Sequence, residues 1–199
     1  MTSTLARFTQ LITLFALTFG ASTMKADTVT DKALFDFQAA THLPAREEVN
    51  DDVMGGVSTS HFEMLTNDCA VFSGTVRLEN NGGFASVRSA PVREDLTGFT
   101  AFFLRVRGDG CRYKFSVRTG AGFDTPLYQC SFTTKPGEWE EHRLAFSDFV
   151  PTFRGRVLND VPPLNPAKVN SVGFLISDKQ AGPFRLEIGC IKASPPIKP

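Results

Sequence analysis

The side chains most capable of chemistry near the start of the chain are gathered in Asn50-Asp51-Asp52-Val53-Met54-Gly55-Gly56-Val57-Ser58. Three successive oxygen-bearing side chains can ligate Ca²⁺ or accept hydrogen bonds from sugar hydroxyls. The Gly55-Gly56 pair lets the backbone take a positive φ or approach a partner closely. The competing reading is a capped turn whose Asn and Asp side chains bond their own backbone, and composition alone favours that turn. Trp139 is the single tryptophan, a ring able to stack on a ligand. Arg154 lies in the irregular stretch from Ser147 to Pro166, which reads as a long loop of the kind that often carries function. The residues put forward for partner or ligand binding are therefore Asn50, Asp51, Asp52, Met54, Gly55, Gly56, Trp139 and Arg154, with the question of a metal left open.

Signatures of catalysis are missing. The chain has no GxSxG, no HExxH, no GxxxxGK[ST] and no GxGxxG that opens a helix. Its three histidines, His42, His61 and His142, come without a paired nucleophile at defined spacing, so each reads as solvated or structural. No cofactor is implied, and a non-enzymatic protein is expected.

Residues 1–26 contain no Asp or Glu, and Arg7 precedes an apolar run from Leu11 to Ala21. That is the shape of a cleavable signal peptide, since the run falls short of the ~20 residues a bilayer span needs. A mitochondrial transit peptide is the alternative, but it would carry several Arg on an amphipathic helix. The expected location is secreted or periplasmic, with mitochondrial as the alternative and no membrane anchor after cleavage. The rest of the chain loses Arg7 and Lys25 and keeps a slight acidic excess, with no run of Lys or Arg. Nucleic acid is therefore not an expected partner. Cys69, Cys111, Cys130 and Cys190 form no CxxC, and bridges and buried thiols remain equally good readings.

The elements that must position these residues are strands. Short β-branched and aromatic runs recur between Gly, Pro, Asn and Asp, and no segment of 27–193 sustains a 3.6-residue period. Ala70, Phe72, Val76 and Leu78 alternate with polar residues and should face a core. Phe102, Leu104 and Val106 do so as well, followed after Gly108-Asp109-Gly110 by Tyr113, Phe115 and Val117, a pattern that reads as a β-hairpin. On that hairpin Arg105, Arg107, Lys114 and Arg118 would share one outward face. Asn80-Asn81-Gly82-Gly83-Phe84 reads as another hairpin turn. Further strands are predicted near 33–37, 127–132, 139–144, 172–176 and 184–191. Nineteen Phe supply apolar volume for the space between two sheets. The fold class is all-β, an antiparallel β-sandwich, with one domain at 27–193 and a disordered Pro-rich tail at 194–199.

Across residues 34–192 the chain resembles the complex I intermediate-associated protein 30 family. The resemblance rests on Val49 through Ser58, Phe72-Ser73-Gly74, Asn81-Gly82-Gly83-Phe84-Ala85-Ser86 and Leu104-Arg105-Val106-Arg107-Gly108-Asp109-Gly110. It continues through Tyr113-Lys114-Phe115, Gly137-Glu138-Trp139, Asp148-Phe149-Val150-Pro151 with Arg154-Gly155, and Ser171-Val172-Gly173-Phe174 with Gly182-Pro183-Phe184. It implies a galactose-binding-like jelly roll and a chaperone-like role in assembling a respiratory NADH dehydrogenase or another protein complex. It also implies a protein partner. The alternative function is an exported carbohydrate-binding module, which the fold class, the export signal and Asn50, Asp51 and Asp52 with Trp139 as a stacking ring point to.

Overall fold

The computed structural model describes residues 30–37, 46–51, 55–65, 69–122 and 124–197, so the predicted leader, His42, Asp52, Val53 and Met54 lie outside the described residues. Among the described residues thirteen strands form two antiparallel sheets, and no helix is long and apolar enough to cross a membrane. They are β1 (Lys32–Asp36), β2 (Arg46–Glu48), β3 (Thr59–Leu65), β4 (Cys69–Val76), β5 (Ala85–Ser89), β6 (Ala101–Arg107) and β7 (Arg112–Arg118). They continue with β8 (Leu127–Thr133), β9 (Trp139–Ala145), β10 (Val150–Phe153), β11 (Arg156–Val157), β12 (Ser171–Ile176) and β13 (Gly182–Ser194). The first sheet runs β3-β4-β13-β6-β9 with β1 also paired to β13, and the second runs β11-β10-β8-β7-β12-β5-β2. This is the antiparallel sandwich the alternation predicts.

The two inner faces bury Phe72, Val76, Phe102, Leu104, Val106, Tyr113, Phe115, Phe174, Leu186 and Ile188 in one core. Phe102 is fully buried and sits against Phe115, Phe146 and Phe149, with ring centroids 5.1, 4.9 and 5.6 Å away. Strand β13 changes phase along its length. Phe184, Leu186 and Ile188 face the core before a bulge at Gly189, and Ile191 and Ala193 face it afterwards. One inserted residue thus keeps a thirteen-residue strand apolar on the side that matters.

Several expectations need correction. β6 and β7 belong to different sheets, so Gly108-Asp109-Gly110 is a crossover between layers and no hairpin turn. Arg105 and Arg107 consequently lie on the outer face of the first sheet, while Lys114 and Arg118 lie on that of the second. Asn80 to Phe84 is likewise a crossover from β4 to β5, with Asn80, Asn81 and Gly83 at positive φ. Alternation reports which side of a strand is apolar, and both layers satisfy it equally. The Ser147–Pro166 stretch contains β10 and β11, strands too short to register as periodic. Leu78 follows the end of β4 and is 41% exposed. His142 points inward, its ring 4.9 Å from that of Phe132, and so takes the structural of its two readings. β13 runs through Ser194, and that hydroxyl donates to Asp31 at 2.8 Å.

Phe102→Ala is expected to cost about 3–5 kcal/mol in urea unfolding, because it opens a cavity between both layers. A loss below about 1 kcal/mol would show that this ring is not central to the core.

Candidate functional site

Asp51 is fully buried. Its Oδ1 accepts from Ser58 N at 2.9 Å, and its Oδ2 accepts from Ser58 Oγ at 2.5 Å, Gly83 N at 2.6 Å and Phe84 N at 3.3 Å. Its own carbonyl takes Gly56 N at 2.9 Å. Ser58 Oγ in turn accepts from Arg77 N at 3.0 Å, and Asn80 Nδ2 donates to the Gly55 carbonyl at 3.0 Å. The carboxylate therefore joins two crossovers, the one from β2 to β3 and the one from β4 to β5. Burial by itself would raise the Asp51 pKa, but the bonds from Ser58, Gly83 and Phe84 outweigh it and hold the pKa below the ordinary carboxylate value.

The glycine pair has two separate reasons. Gly55 sits at φ +84°, a conformation that favours glycine. Gly56 has no positive φ and is needed for space, since a Cβ there would fall 2.4 Å from Asp51 Cγ. Gly82 presses on the same carboxylate from the other crossover, where a Cβ would lie 2.5 Å from Oδ2. Asn50 is also turned to structure, its Oδ1 accepting from Ser60 Oγ at 2.7 Å. Both Asp51 oxygens thus face protein donors, an arrangement that leaves the segment acting as a buried clamp.

Trp139 opens β9, the edge of the first sheet opposite β3, and Arg154 occupies the exposed β10–β11 turn at an edge of the second sheet. Strand order therefore separates Trp139 and Arg154 from the Asp51 clamp. Trp139 is 36% exposed on the outer face. The Arg105 guanidinium lies 4.5 Å from its ring centroid and that of Arg107 5.2 Å. Arg107 also donates to the buried Glu187, through Nε at 2.8 Å, and Glu187 takes Arg185 Nε at 3.1 Å. Beside this stack lies an open hollow of about 370 Å³, lined by Asp31, Asp36, Phe103, Arg105, Glu141, Cys190 and Lys192. Trp139, Arg105 and Arg107 each stand out in the sequence, but their meeting does not, and Cys190 and Lys192 reach the same place from a strand more than fifty positions further along.

Cys111, Cys130 and Cys190 are unbridged, and Cys69, Cys130 and Cys190 are buried. Burial pushes Cys130 up to about 11, helped by Asp148. Burial and the Asp109 carboxylate do the same for Cys111, also to about 11. Neither is a thiolate at neutral pH, the state a nucleophilic cysteine requires. His142 is shifted down by burial, which outweighs the opposing pull of Glu140. Among the described residues no group of three His, Cys, Asp or Glu side chains could hold a metal ion.

A family model described as Complex I intermediate-associated protein 30 matches residues 35–188. The mouse protein named Complex I intermediate-associated protein 30, mitochondrial, is 29% identical over 180 residues, covering 80% of this chain and 55% of the relative. The Drosophila melanogaster protein of that name is 28% identical over 177 residues, covering 78% of this chain and 60% of the relative. This chain thus spans little more than half the length of these relatives. Among solved structures, the family 11 carbohydrate-binding module of a Clostridium thermocellum cellulosomal cellulase superposes with a TM-score of 0.66 at 14% identity. That match covers 86% of this chain and 98% of the module. An agarase matches with a TM-score of 0.60 at 12% identity, over 86% of this chain and 25% of its own. At such identities the structural likeness shows the fold alone.

Asp51→Ala is expected to destabilise by about 3 kcal/mol or more, since it strands buried amide donors. Gly56→Val should cost a comparable amount, roughly 3 kcal/mol, through its collision with the same carboxylate. Denaturant unfolding of both variants with unchanged midpoints would refute the clamp. The pH dependence has a defined sign. A depressed folded pKa contributes stability that is present above the unfolded value of about 3.9 and lost as pH falls through the folded one. Asp51→Asn should therefore flatten the acid limb of the stability profile.

Proposed function

We propose that this chain, which belongs to the Complex I intermediate-associated protein 30 family, is a non-enzymatic, chaperone-like protein-binding domain. It assists assembly of a respiratory NADH dehydrogenase or a related complex and docks through the outer face of the first sheet. The observation that carries this reading is the part-exposed Trp139, with the Arg105 and Arg107 guanidinium groups both against its ring, beside the open hollow. Trp and Arg are the residue types that dominate binding hot spots, and a ring held by two guanidinium groups has little freedom left to lose on docking. The names of the relatives support the assembly role.

A carbohydrate-binding function is the second reading, supported by the structural likeness and by one outward indole. A sugar stacks on an uncovered ring, and here Arg105 already lies 4.5 Å from the ring centroid. Protein binding is the better account of that arrangement. For location, Arg7 followed by Leu11 to Ala21 supports export, while the names of the relatives support mitochondria. N-terminal sequencing after subcellular fractionation separates these two.

Affinity capture with the protein should recover subunits of the NADH dehydrogenase or of one other defined assembly. Trp139→Ala and Arg105→Ala should each reduce that recovery tenfold or more without lowering the melting temperature. Equal recovery by wild type and both variants would remove the outer face from the reading. Calorimetric titration with β-glucans and galactans should give flat heats, and saturable heat would replace protein binding with carbohydrate binding.

A further inference from the structure

Sheet edges are the places where a sandwich must be blunted against unwanted pairing. The second sheet ends on β2 and β11, which are only three and two residues long. On the first sheet, the β3 edge is capped by side chains, because Arg46 Nη2 donates to the Phe62 carbonyl at 2.5 Å and Glu48 Oε1 accepts from Phe62 N at 3.0 Å. The opposite edge, β9, is seven residues long and, among the described residues, pairs with β6 alone. Phe146 N donates to the Thr100 carbonyl, continuing the register Ala101↔Ala145. In an antiparallel ladder this places the amides and carbonyls of Glu140, His142 and Leu144 toward β6. Those of Trp139, Glu141, Arg143 and Ala145 face outward along the edge. No backbone bond to them from another strand is found among the described residues.

We infer that β9 pairs with β9 of a second copy of this chain, antiparallel, about a two-fold axis at His142. In that register Glu141 lies opposite Arg143 of the second copy and Arg143 opposite its Glu141, while Trp139 faces Ala145. Every outward amide and carbonyl then meets an outward partner. The two charge pairs are directly opposed on one face, where cross-strand pairs interact most strongly. Shifting the axis to Glu141 would set Glu141 against Glu141, so the charges select one register. Each charge has capacity for it. Glu141 forms no ion pair among the described residues, and Arg143 uses Nη2 to hold Thr100 Oγ1 at 3.0 Å and the Pro195 carbonyl at 2.9 Å, leaving Nε and Nη1. The result is one continuous sheet across the dimer, with two Trp139 stacks on its outer face. The inference rests on strand register and charge pattern and stands whether or not that face binds an assembly partner.

Sedimentation equilibrium tests it. A contact of this size falls below the roughly 1,200 Å² of standard interfaces, so a concentration-dependent monomer–dimer equilibrium is expected. Glu141→Arg alone and Arg143→Glu alone should each weaken self-association tenfold or more by opposing like charges. An equimolar mixture of the two variants should restore the dimer, because a copy with arginine at both positions then faces a copy with glutamate at both. Restoration also shows that both variants fold. A single monomeric species up to about 500 µM, a range that reaches weak interfaces, would overturn the inference. So would self-association that neither reversal changes, or variants that fail to pair when mixed.

Discussion

One buried carboxylate sets the geometry at one end of this sandwich. Asp51 takes four hydrogen bonds, and the groups that supply them, Ser58, Gly83 and Phe84, belong to the two crossovers that carry the chain between layers. A charge out of contact with water is tolerated only where donors surround it, and here the backbone supplies three of the four. The consequence reaches beyond the loop. Because β3, β4, β5 and β2 all leave or enter these crossovers, the same contact aligns one edge of each sheet. Val49 and Ser86 add a second tie, with Val49 N donating to the Ser86 carbonyl at 2.9 Å and Ser86 Oγ to the Val49 carbonyl at 2.5 Å.

The exposed aromatic and charged features lie at the opposite edge of the first sheet. The outer face of the first sheet carries Trp139 with the Arg105 and Arg107 guanidinium groups at its ring, the buried Glu187 that anchors Arg107, and the hollow beyond. The β13 bulge connects these features to the core. It turns Ile191 and Ala193 inward and sets Gly189 under the tryptophan, where a Cβ would lie 3.5 Å from the ring. The bulge thus serves the core and the surface at once: it keeps the strand's apolar phase while providing a flat seat for a large aromatic side chain.

The sandwich was legible because alternation is a local property and survives in single strands such as 102–107 and 113–117. Which sheet a strand joins is a long-range property, and two adjacent amphipathic strands with a glycine turn look alike whether they pair or cross over. That is why Gly108-Asp109-Gly110 and Asn80 to Phe84 resemble hairpin turns. The Asn50 to Ser58 segment was recognisable as special, and it is one of several pieces whose common order carries the family resemblance. Its task was less legible, since Asp51 meets Gly83 and Phe84 only through the fold. One signal was present: a second glycine pair, Gly82-Gly83, as the counterpart of Gly55-Gly56. Trp139 was visible as a lone ring, whereas its seat required the register of β6, β9 and β13.

Asp51 is ionised, buried and bonded by both crossovers. Carbon-13 NMR of the Asp51 carboxyl, followed with the amide signals of Ser58, Gly83 and Phe84 as the pH is lowered, tests it most directly. The expected midpoint lies below the ordinary aspartate value of about 3.9, with the three amides shifting at that same midpoint. An ordinary midpoint with amides indifferent to it would contradict the clamp.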